Sequence, residues 1–394
     1  MMRLGLVIHR YGQGISGGAE VHCRMLAQRL AGLVPDGQVE VLTTTARDYL
    51  TWANAHEEGE SSDGPVLIRR FRVARRRNLL LFDLINRAVN LFPGRAPFWL
   101  ERLWLPAQGP NCPGLLEHLK EKAKTYDRLI FYTYLYLPTV LGLPLAASSL
   151  RAGPWLIPTA HDEPPLRLKI MRPVFEQAQG LGYLSPAEAD LVQSRFNVAP
   201  VQSAVLGAGV EAPSGIDRRA FAAKHGLDNY ILYLGRIDVA KGIPDLVRFW
   251  SQAAGRQGSL KLVLAGEQKM KLPPLAGVVR PGFVSEVDKW SALAGALAVV
   301  APSPFESLNL TVLEAGAVGR PVLVNGRCPV LADYAARSGG GLAYFDAGSF
   351  EQSLARLLDP EQARTLGRRN QNYVNREFTW SVLDKRLRKW LNLE

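Results

Sequence analysis

The chain has 394 residues, of which 47% are hydrophobic and 21% are charged. This balance excludes a disordered or fibrous protein and is large enough for two domains. Lysine and arginine outnumber aspartate and glutamate by 47 to 36, a net charge of +11 that indicates an anionic partner such as nucleotide phosphate, a membrane surface or nucleic acid. Because Cys23, Cys112 and Cys328 stand far apart, no disulfide framework or zinc site is expected, and a cytoplasmic location is predicted.

Two apolar segments of the sequence could be membrane-related, residues 4–8 and residues 129–150. The apolar run at residues 4–8 is too short for the core of a signal peptide. Residues 129–150 carry no charge and are long enough to span a bilayer, but they contain Pro138 and Pro144, which a spanning helix tolerates poorly. We therefore predict a buried strand at 129–133, a turn, and a helix that begins near Pro138.

Short apolar runs alternate with amphipathic stretches along the chain, which is the pattern of parallel α/β sheets. Strands are predicted at residues 4–8, 39–44, 67–73, 230–234, 260–265, 297–301 and 321–324, and helices at 19–33, 245–254 and 287–296. The alternation occurs twice and lapses within about residues 195–215. We predict two doubly wound, Rossmann-like domains over residues 1–198 and 199–378, followed by a last helix in 379–394 whose packing partner the periodicity does not reveal.

An arginine-rich segment interrupts this pattern. Residues 67–102 contain nine arginines and two acidic residues, with leucines and aromatic residues after the arginine run at 69–77. Basic residues beside apolar ones suit an anionic lipid surface, and a solvated charged edge beside core residues is the alternative. Peripheral contact between residues 69–104 and the inner face of a membrane is therefore a hypothesis. Nucleic acid is not predicted as a partner, because no motif of a recognised nucleic-acid-binding module accompanies the segment.

Residues 12–17 match the pattern G-x-G-x-x-G between the first predicted strand and the first predicted helix. Small residues there let the backbone approach a phosphate at the positive end of a helix. A dinucleotide enzyme also needs an acid at the end of the second strand, and residues 41–45 contain none, so NAD is not predicted. The loop is either an anion-accepting turn or simply a tight strand-to-helix turn.

A second candidate phosphate site follows the strand at 230–234. Arg236 and Lys241 lie five residues apart in the loop that leads to the next helix. Because ligands of α/β sheets bind at the carboxyl ends of the strands, both cations are expected to face a ligand crevice. Such cations can neutralise a departing diphosphate without a metal ion, although a solvated surface pair is an equal alternative. No metal site is predicted.

The segment 303–316 gives the sharpest signal. Glu306 lies in a loop with Pro304, and Glu314 lies eight residues later on a helix predicted to begin near Asn309. The start of that helix offers backbone N–H groups at residues 308–311 to phosphate oxygens. Glu314 stands in an otherwise apolar helix, where an unpartnered acid would be costly, so a bound polyol is a reasonable partner. The alternative to a binding site is that Glu306 is an acid at the start of the helix and Glu314 is an exposed helix residue.

These motifs together resemble glycosyltransferase family 4 over essentially the whole chain. The resemblance lies in Glu306-x7-Glu314, Gly235-Arg236, Lys241-Gly242, Gly17-Gly18-Ala19-Glu20, residues 185–190 and residues 282–285. It implies a GT-B fold, in which two Rossmann-like domains face each other across a cleft and a C-terminal helix returns to the first domain. In that fold, Gly17 and Gly18 would close over the reaction centre from the acceptor-side domain, residues 1–198.

The resemblance also implies which residues bind the donor phosphates. Arg236 and Lys241 would bind the diphosphate, and the backbone amides near Leu310 and Thr311 would meet its oxygens. All four residues belong to the predicted donor-binding domain, residues 199–378.

Further residues would contact the sugar and the nucleoside. Glu306 would bind hydroxyls of the transferred sugar, His161 would lie near that sugar, and Glu314 would bind the ribose. Val284 would contact the base through its main chain. Asn309 stands where relatives often have glycine, so the loop beside the sugar is expected to differ in shape.

With this resemblance, the sequence predicts a retaining, metal-independent glycosyltransferase without a cofactor. The resemblance implies that its donor would be a UDP- or GDP-sugar, and its acceptor a glycan or glycolipid of the cell envelope. Two alternatives stay open: a sugar-nucleotide epimerase or phosphorylase on the same architecture, and a non-catalytic nucleotide-sugar-binding protein.

Overall fold

The computed structural model describes residues 2–15, 17–92, 94–150, 152–198, 200–253 and 259–393. The chain divides into two compact units, Met1–Leu206 with Arg386–Glu394, and Gly207–Lys385. Both units are α/β. Four residues named in the sequence predictions lie outside the described residues: Ser16 of the glycine loop, Ala199, Ala254 and Glu394.

The first unit is built on an eight-stranded sheet. Its strands are β1 (Arg3–Val7), β2 (Gln38–Thr44), β3 (Gly59–Asp63), β4 (Val66–Phe71), β5 (Arg128–Tyr132), β6 (Trp155–Ile157), β7 (Gly180–Tyr183) and β8 (Gln202–Val205). Its helices are α1 (Gly18–Leu33), α2 (Leu79–Leu91), α3 (Phe98–Gln108), α4 (Pro113–Lys122), α5 (Leu137–Ala147), α6 (Arg172–Glu176) and α7 (Pro186–Phe196). The strand order is β3-β4-β2-β1-β5-β6-β7-β8, and only β3 pairs antiparallel.

The central strands of this sheet are apolar because helices cover both of their faces. β1 pairs in parallel with β2 and with β5. A core of buried side chains packs beneath the helices and includes Trp104, Leu115, Phe131, Leu143 and Phe175. β5 and α5 confirm the predicted strand, turn and helix in residues 129–150, and Pro138 lies in the first turn of α5. Within the described residues, no helix has the length and apolar character needed to cross a bilayer.

The second unit is built on a six-stranded parallel sheet. Its strands are β9 (Tyr230–Leu234), β10 (Lys261–Ala265), β11 (Val278–Gly282), β12 (Ala298–Ala301), β13 (Val322–Asn325) and β14 (Gly341–Tyr344). Its helices are α8 (Ala220–His225), α9 (Ile243–Ala253), α10 (Glu286–Gly295), α11 (Leu310–Ala317), α12 (Pro329–Ser338), α13 (Ala347–Leu358) and α14 (Pro360–Glu377). The strand order is β11-β10-β9-β12-β13-β14, so β9 and β12 are central neighbours.

The two units meet in sequence later than residue 198. The first unit extends to Leu206 because β8 pairs in parallel with β7 and so completes the first sheet. A boundary at 198/199 would cut this edge strand from its sheet.

The strand predicted at residues 67–73 ends earlier in the structure, since β4 ends at Phe71.

The last helix, α15 (Trp380–Leu391), is shared by the two units. Its final turns pack on the first unit, where the buried Trp390 ring meets Trp155 edge to face at a centroid distance of 4.9 Å. Gly182 of β7 makes room for this ring, since a Cβ there would lie 2.8 Å from Trp390. The end of the chain therefore completes the core of the first unit.

Candidate functional site

Two loops of the second unit converge at the carboxyl end of the sheet. One follows β9 and carries Lys241, and the other follows β12 and carries Glu306. Because β9 and β12 are parallel neighbours, the two loops leave the same edge of the sheet. The Lys241 Nζ atom lies 2.8 Å from the Glu306 Oε1 atom. The structure thus brings together two residues that are 65 positions apart in the sequence.

Gly242 permits this close approach. Its φ angle is +75°, and a Cβ there would lie 2.2 Å from the carbonyl oxygen of Pro302 in the neighbouring loop. Any side chain would therefore push the two loops apart. The packing of the two loops therefore explains why position 242 is glycine, independently of any ligand.

In the loop after β9, Asp238 contacts the side chain of Arg236 and the backbone of Lys241. The Arg236 Nε atom lies 3.2 Å from the Asp238 Oδ2 atom, and Asp238 Oδ1 accepts the backbone N–H of Lys241 at 2.8 Å. The Tyr233 hydroxyl donates to the Arg236 carbonyl oxygen at 2.6 Å. The sequence predictions missed Asp238, although a carboxylate between two cations in one short loop is a visible signal.

Helix α11 begins beside Glu306 with its N-terminus capped by Asn309. The Asn309 side chain accepts the backbone N–H of Val312 at 3.1 Å and lies 3.3 Å from Glu306 Oε1 through its Nδ2 atom. Asn309 therefore both caps the helix and contacts Glu306. The amides of Leu310 and Thr311 remain at the open end of the helix, where backbone N–H groups have no partner within the helix.

Glu306 itself is only 9% exposed. Its Oε1 atom is shared by Lys241 and Asn309. A carboxylate fixed by a lysine and an amide keeps further lone pairs for hydroxyl donors. This arrangement fits a residue that binds a polyol.

Glu314 has a partner within the protein, so the carboxylate is not left unpartnered in its helix as the sequence suggested. The Lys289 Nζ atom of α10 lies 2.8 Å from Glu314 Oε1 and 2.8 Å from Glu286 Oε2. Burial raises the pKa of Glu314 even though Lys289 opposes this shift. Burial alone would lower the pKa of Lys289, but the two carboxylates outweigh it and raise that pKa. The sequence signalled only the Glu286–Lys289 ion pair, through its three-residue spacing on one helix. It gave no signal for the Lys289–Glu314 ion pair.

Val284 lies just beyond the end of β11 at Gly282 and is half-buried. β11 is the edge strand of the second sheet, two strands away from β9. The other predicted donor residues of this unit lie at the ends of β9 and β12 or on α11, so Val284 stands apart from them in the sheet order.

In the first unit, an internal carboxylate occupies the start of the helix after the glycine loop. Glu20 of α1 is buried, and its Oε1 atom lies 3.0 Å from His9 Nε2 and accepts a hydrogen bond from Arg10. Burial would raise the pKa of Glu20, but His9 and Arg10 lower it to about 2. A Cβ at Gly17 would lie 2.0 Å from Glu20 Oε2, whereas one at Gly18 would meet nothing within 4 Å. The anion expected at this turn is thus supplied by the chain itself.

His161 lies in the loop that follows β6. Its Nδ1 atom lies 3.1 Å from Glu163 Oε1, and the same oxygen accepts the Tyr134 hydroxyl at 2.8 Å. The amide before it, that of Ala160, donates to the buried carboxylate of Glu188 at 2.5 Å. The sequence predictions missed the roles of Glu163 and Glu188. Only the position of Glu188 three residues after Ser185, at the start of α7, gave a signal, and that signal is for helix capping.

Part of the arginine run at 69–77 faces the interior, which corrects the idea of a single basic surface. Arg69 Nε donates to Glu40 Oε1 at 2.7 Å, Arg70 donates to the carbonyl oxygen of Tyr11 at 3.1 Å, and Arg77 donates to that of Tyr49 at 3.2 Å. Arg72, Arg75 and Arg76 are exposed. The exposed positive charge therefore comes from fewer arginines than the sequence contains.

Within the part of the chain that the structure describes, no group of three or more His, Cys, Asp or Glu side chains is arranged to hold a metal ion.

The fold of the two units is that of GT-B glycosyltransferases, as solved structures of similar proteins show. Sucrose-phosphate synthase from Thermosynechococcus elongatus aligns with a TM-score of 0.73 at 19% identity, over 99% of this chain and 98% of that one. HepE from Anabaena, in complex with UDP and glucose, aligns with a TM-score of 0.67 at 13% identity, over 100% of both chains. WaaG, described as a glycosyltransferase involved in lipopolysaccharide biosynthesis, aligns with a TM-score of 0.67 at 14% identity, over 98% of this chain and 99% of that one.

The second unit can be assigned further. Residues 228–360 match the family model described as glycosyl transferases group 1. This range contains Arg236, Lys241, Val284, Glu306 and Glu314, which are residues of the predicted donor site. A search of curated protein sequences finds no match.

Proposed function

We propose that this protein is a retaining glycosyltransferase of family 4 that transfers a sugar from a nucleotide-sugar donor to a hydroxyl acceptor without a metal ion. One observation carries the proposal: Lys241 lies 2.8 Å from Glu306 beside the capped start of α11, within a glycosyl transferases group 1 match. Cations, backbone amides and a hydroxyl-binding carboxylate are the groups that a sugar diphosphate requires.

In the proposed reaction, the bond between the anomeric carbon and the diphosphate oxygen breaks. A new bond forms between that carbon and the acceptor oxygen, on the face that the diphosphate leaves. The acceptor proton passes to a diphosphate oxygen. Arg236, Lys241 and the amides of Leu310 and Thr311 stabilise the negative charge of the departing diphosphate, while Glu306 orients the sugar through its hydroxyls.

Glu314 is proposed to bind the ribose of the donor, and Val284 is proposed to bind the base. The ion pair between Lys289 and Glu314 fixes the Glu314 carboxylate in one position, so one carboxylate oxygen is already oriented before the donor arrives. We propose a UDP-sugar donor, with a GDP-sugar as the other candidate. The complexes of HepE with UDP and with UDP-glucose support this choice.

The acceptor is proposed to be a glycan or glycolipid of the cell envelope, bound by the first unit. His161, Gly17 and Gly18 are the residues of that unit proposed to lie near the transferred sugar. The likeness in fold to WaaG supports a role in cell-envelope synthesis. We further propose a cytoplasmic enzyme that contacts the inner face of a membrane peripherally through residues 69–104.

The test is the transfer rate of the purified protein with UDP-sugars and a hydroxyl acceptor. Arg236→Ala and Lys241→Ala should each lower kcat at least about tenfold, a change of about 1.4 kcal/mol in the barrier. Arg248→Ala and Lys224→Ala are matched controls, because these cations are exposed and lie outside the site. EDTA should leave the rate of the unmodified protein unchanged.

Three results would contradict parts of the proposal. Loss of activity in EDTA with recovery in manganese would assign the diphosphate charge to a metal ion. Interconversion of the donor sugar without an acceptor would indicate an epimerase. Donor binding without any turnover, unaffected by Glu306→Gln, would indicate a nucleotide-sugar-binding protein.

A further inference from the structure

Exposed apolar side chains are concentrated on one pair of helices, α2 and α3. Eighteen large hydrophobic residues are exposed in the described part of the chain, and nine of them lie within residues 79–103. They are Leu79, Leu80, Leu81, Leu84, Leu91, Phe92, Phe98, Trp99 and Leu103. We call this set the α2–α3 apolar surface. A contiguous exposed surface of this kind on a soluble fold usually marks an interaction site.

The outward face of α2 carries three large leucines around one exposed cation, Arg87, where a helix facing water would carry mostly polar side chains. Leu80, Leu84 and Leu91 are 85%, 68% and 72% exposed, and they follow one another at the spacing of a single helix face. The inward face is also apolar, since Phe82, Ile85 and Val89 pack on the core of the first unit. Both faces of α2 are therefore hydrophobic, and only one of them is covered.

The two helices are firmly held, so the exposed surface belongs to a packed element. The Trp104 Nε1 atom of α3 donates to Asn86 Oδ1 of α2 at 2.9 Å. Asn78 caps the start of α2 by accepting the backbone N–H of Leu81, and the Arg77 guanidinium lies 4.4 Å from the centroid of the Phe82 ring.

Exposed positive charge lies within and next to α2 and α3 in the sequence. Six arginines within residues 72–103 are exposed: Arg72, Arg75, Arg76, Arg87, Arg95 and Arg102. Asp83 is the one exposed acid in the same described stretch, because Glu101 is buried. Leucine and tryptophan flanked by arginine are the composition of a surface that inserts into anionic lipid.

We infer that the α2–α3 apolar surface docks on an anionic lipid bilayer, with Leu80, Leu84 and Trp99 entering the interface and the exposed arginines contacting lipid phosphates. A second copy of the chain fits less well, because a symmetric pair would set six arginines against six arginines. The inference locates the proposed membrane contact on these helices and away from Arg69 and Arg70, which contact other residues of the protein. The inference rests on the membrane contact in the proposed function and does not depend on the proposed sugar transfer.

The experiment is cosedimentation of the full chain with phosphatidylcholine vesicles, with and without phosphatidylglycerol. Phosphatidylglycerol should increase binding at least about tenfold at low salt, and added salt should reverse the increase. The triple variant Leu80→Ser, Leu84→Ser, Trp99→Ser should lose at least about tenfold of this binding. The matched control is Val201→Ser with Leu141→Ser, which changes exposed apolar residues elsewhere in the same unit. It should bind as the unmodified protein does.

Two results would overturn the inference. The first is equal binding by the triple variant and the control. The second is a difference in oligomeric state measured by light scattering. If the unmodified protein is a dimer and the triple variant is a monomer, the surface mediates self-association. The thermal shift produced by UDP is measured on every variant in parallel. If UDP gives no shift even with the unmodified protein, the donor proposal fails while the vesicle result still decides the membrane inference.

Discussion

Glu188 is a buried carboxylate whose two oxygens are both bound by backbone amides. Oε1 accepts the N–H of Ala160 at 2.5 Å, and Oε2 accepts that of Leu184 at 2.6 Å. The residue therefore joins the loop after β6, which leads into His161, to the loop after β7. Burial raises the pKa of Glu188 to about 8, although the amide donors oppose this shift.

This pKa makes folding stability dependent on pH. The ordinary pKa of a glutamate is 4.5, so between about pH 4.5 and pH 8 the folded chain holds a proton that the unfolded chain has released. The free energy of unfolding should therefore fall as pH rises through this window, by up to about 1.4 kcal/mol per pH unit. Glu188→Gln has no such proton and should remove this slope.

Urea denaturation at several pH values measures the effect. Glu176→Gln is the control, because Glu176 is an exposed glutamate on α6, and it should keep the slope of the unmodified protein. An equal slope in Glu188→Gln would show that other groups cause the pH dependence.

At the scale of elements, the candidate site depends on how α10 and α11 are placed by their strands. α10 precedes β12 and α11 follows it. Their side chains meet through the Lys289–Glu314 pair, in which both residues are largely buried. The pair has two functions that can be separated: it neutralises a buried lysine, and in the proposed function it orients a carboxylate toward a ribose.

A double substitution distinguishes these two functions. Glu314→Ala should cost about 2 kcal/mol of stability, because it leaves Lys289 buried without its buried carboxylate partner and with the exposed Glu286 as its remaining ion-pair partner among the described residues, and it should also weaken donor binding. Glu314→Leu with Lys289→Met should recover much of the stability, since an apolar pair replaces a buried ion pair with little loss. Donor affinity should stay low in the double variant. Calorimetric titration with UDP and thermal denaturation together measure both quantities, and recovery of donor affinity along with stability would limit Glu314 to a structural role.

Local patterns were enough to predict the elements that carry this site. The apolar runs located β9 and β12, and the capping position of Asn309 located the start of α11, because these signals act over a few residues. Lys289, Asp238 and Glu188 were missed as partners. The Lys289–Glu314 contact depends on how α10 and α11 pack after the sheet has formed, and periodicity within one segment carries no information about such packing.

The same limit explains the arginine run at 69–77. Its positive charge was evident in the sequence, but which arginines face inward depends on contacts distant in the chain. Arg69 is bound by Glu40, 29 residues away, because β4 pairs with β2. The apolar residues of α2 and α3 were equally visible, whereas their exposure could be read only from the packed structure.

At the scale of the whole molecule, the two units share one helix. Trp380 at the beginning of α15 packs within the second unit, where a Cβ at Gly209 would lie 2.4 Å from its ring. Trp390 near the end of the helix packs within the first unit against Trp155. The two tryptophans of this helix thus contact residues of two different units.

Alanine substitutions of the two tryptophans should therefore destabilise different units. Trp390→Ala should cost the first unit about 3–5 kcal/mol, the usual effect of emptying a buried tryptophan site. Trp380→Ala is the matched control, and its effect should fall on the second unit and be smaller because Trp380 is only half-buried. Limited proteolysis followed by mass spectrometry measures this, because cleavage should increase within residues 2–206 for Trp390→Ala and within 207–385 for Trp380→Ala. The same cleavage pattern in both variants would mean that the units unfold as one, and α15 would then stabilise the whole chain rather than each core separately.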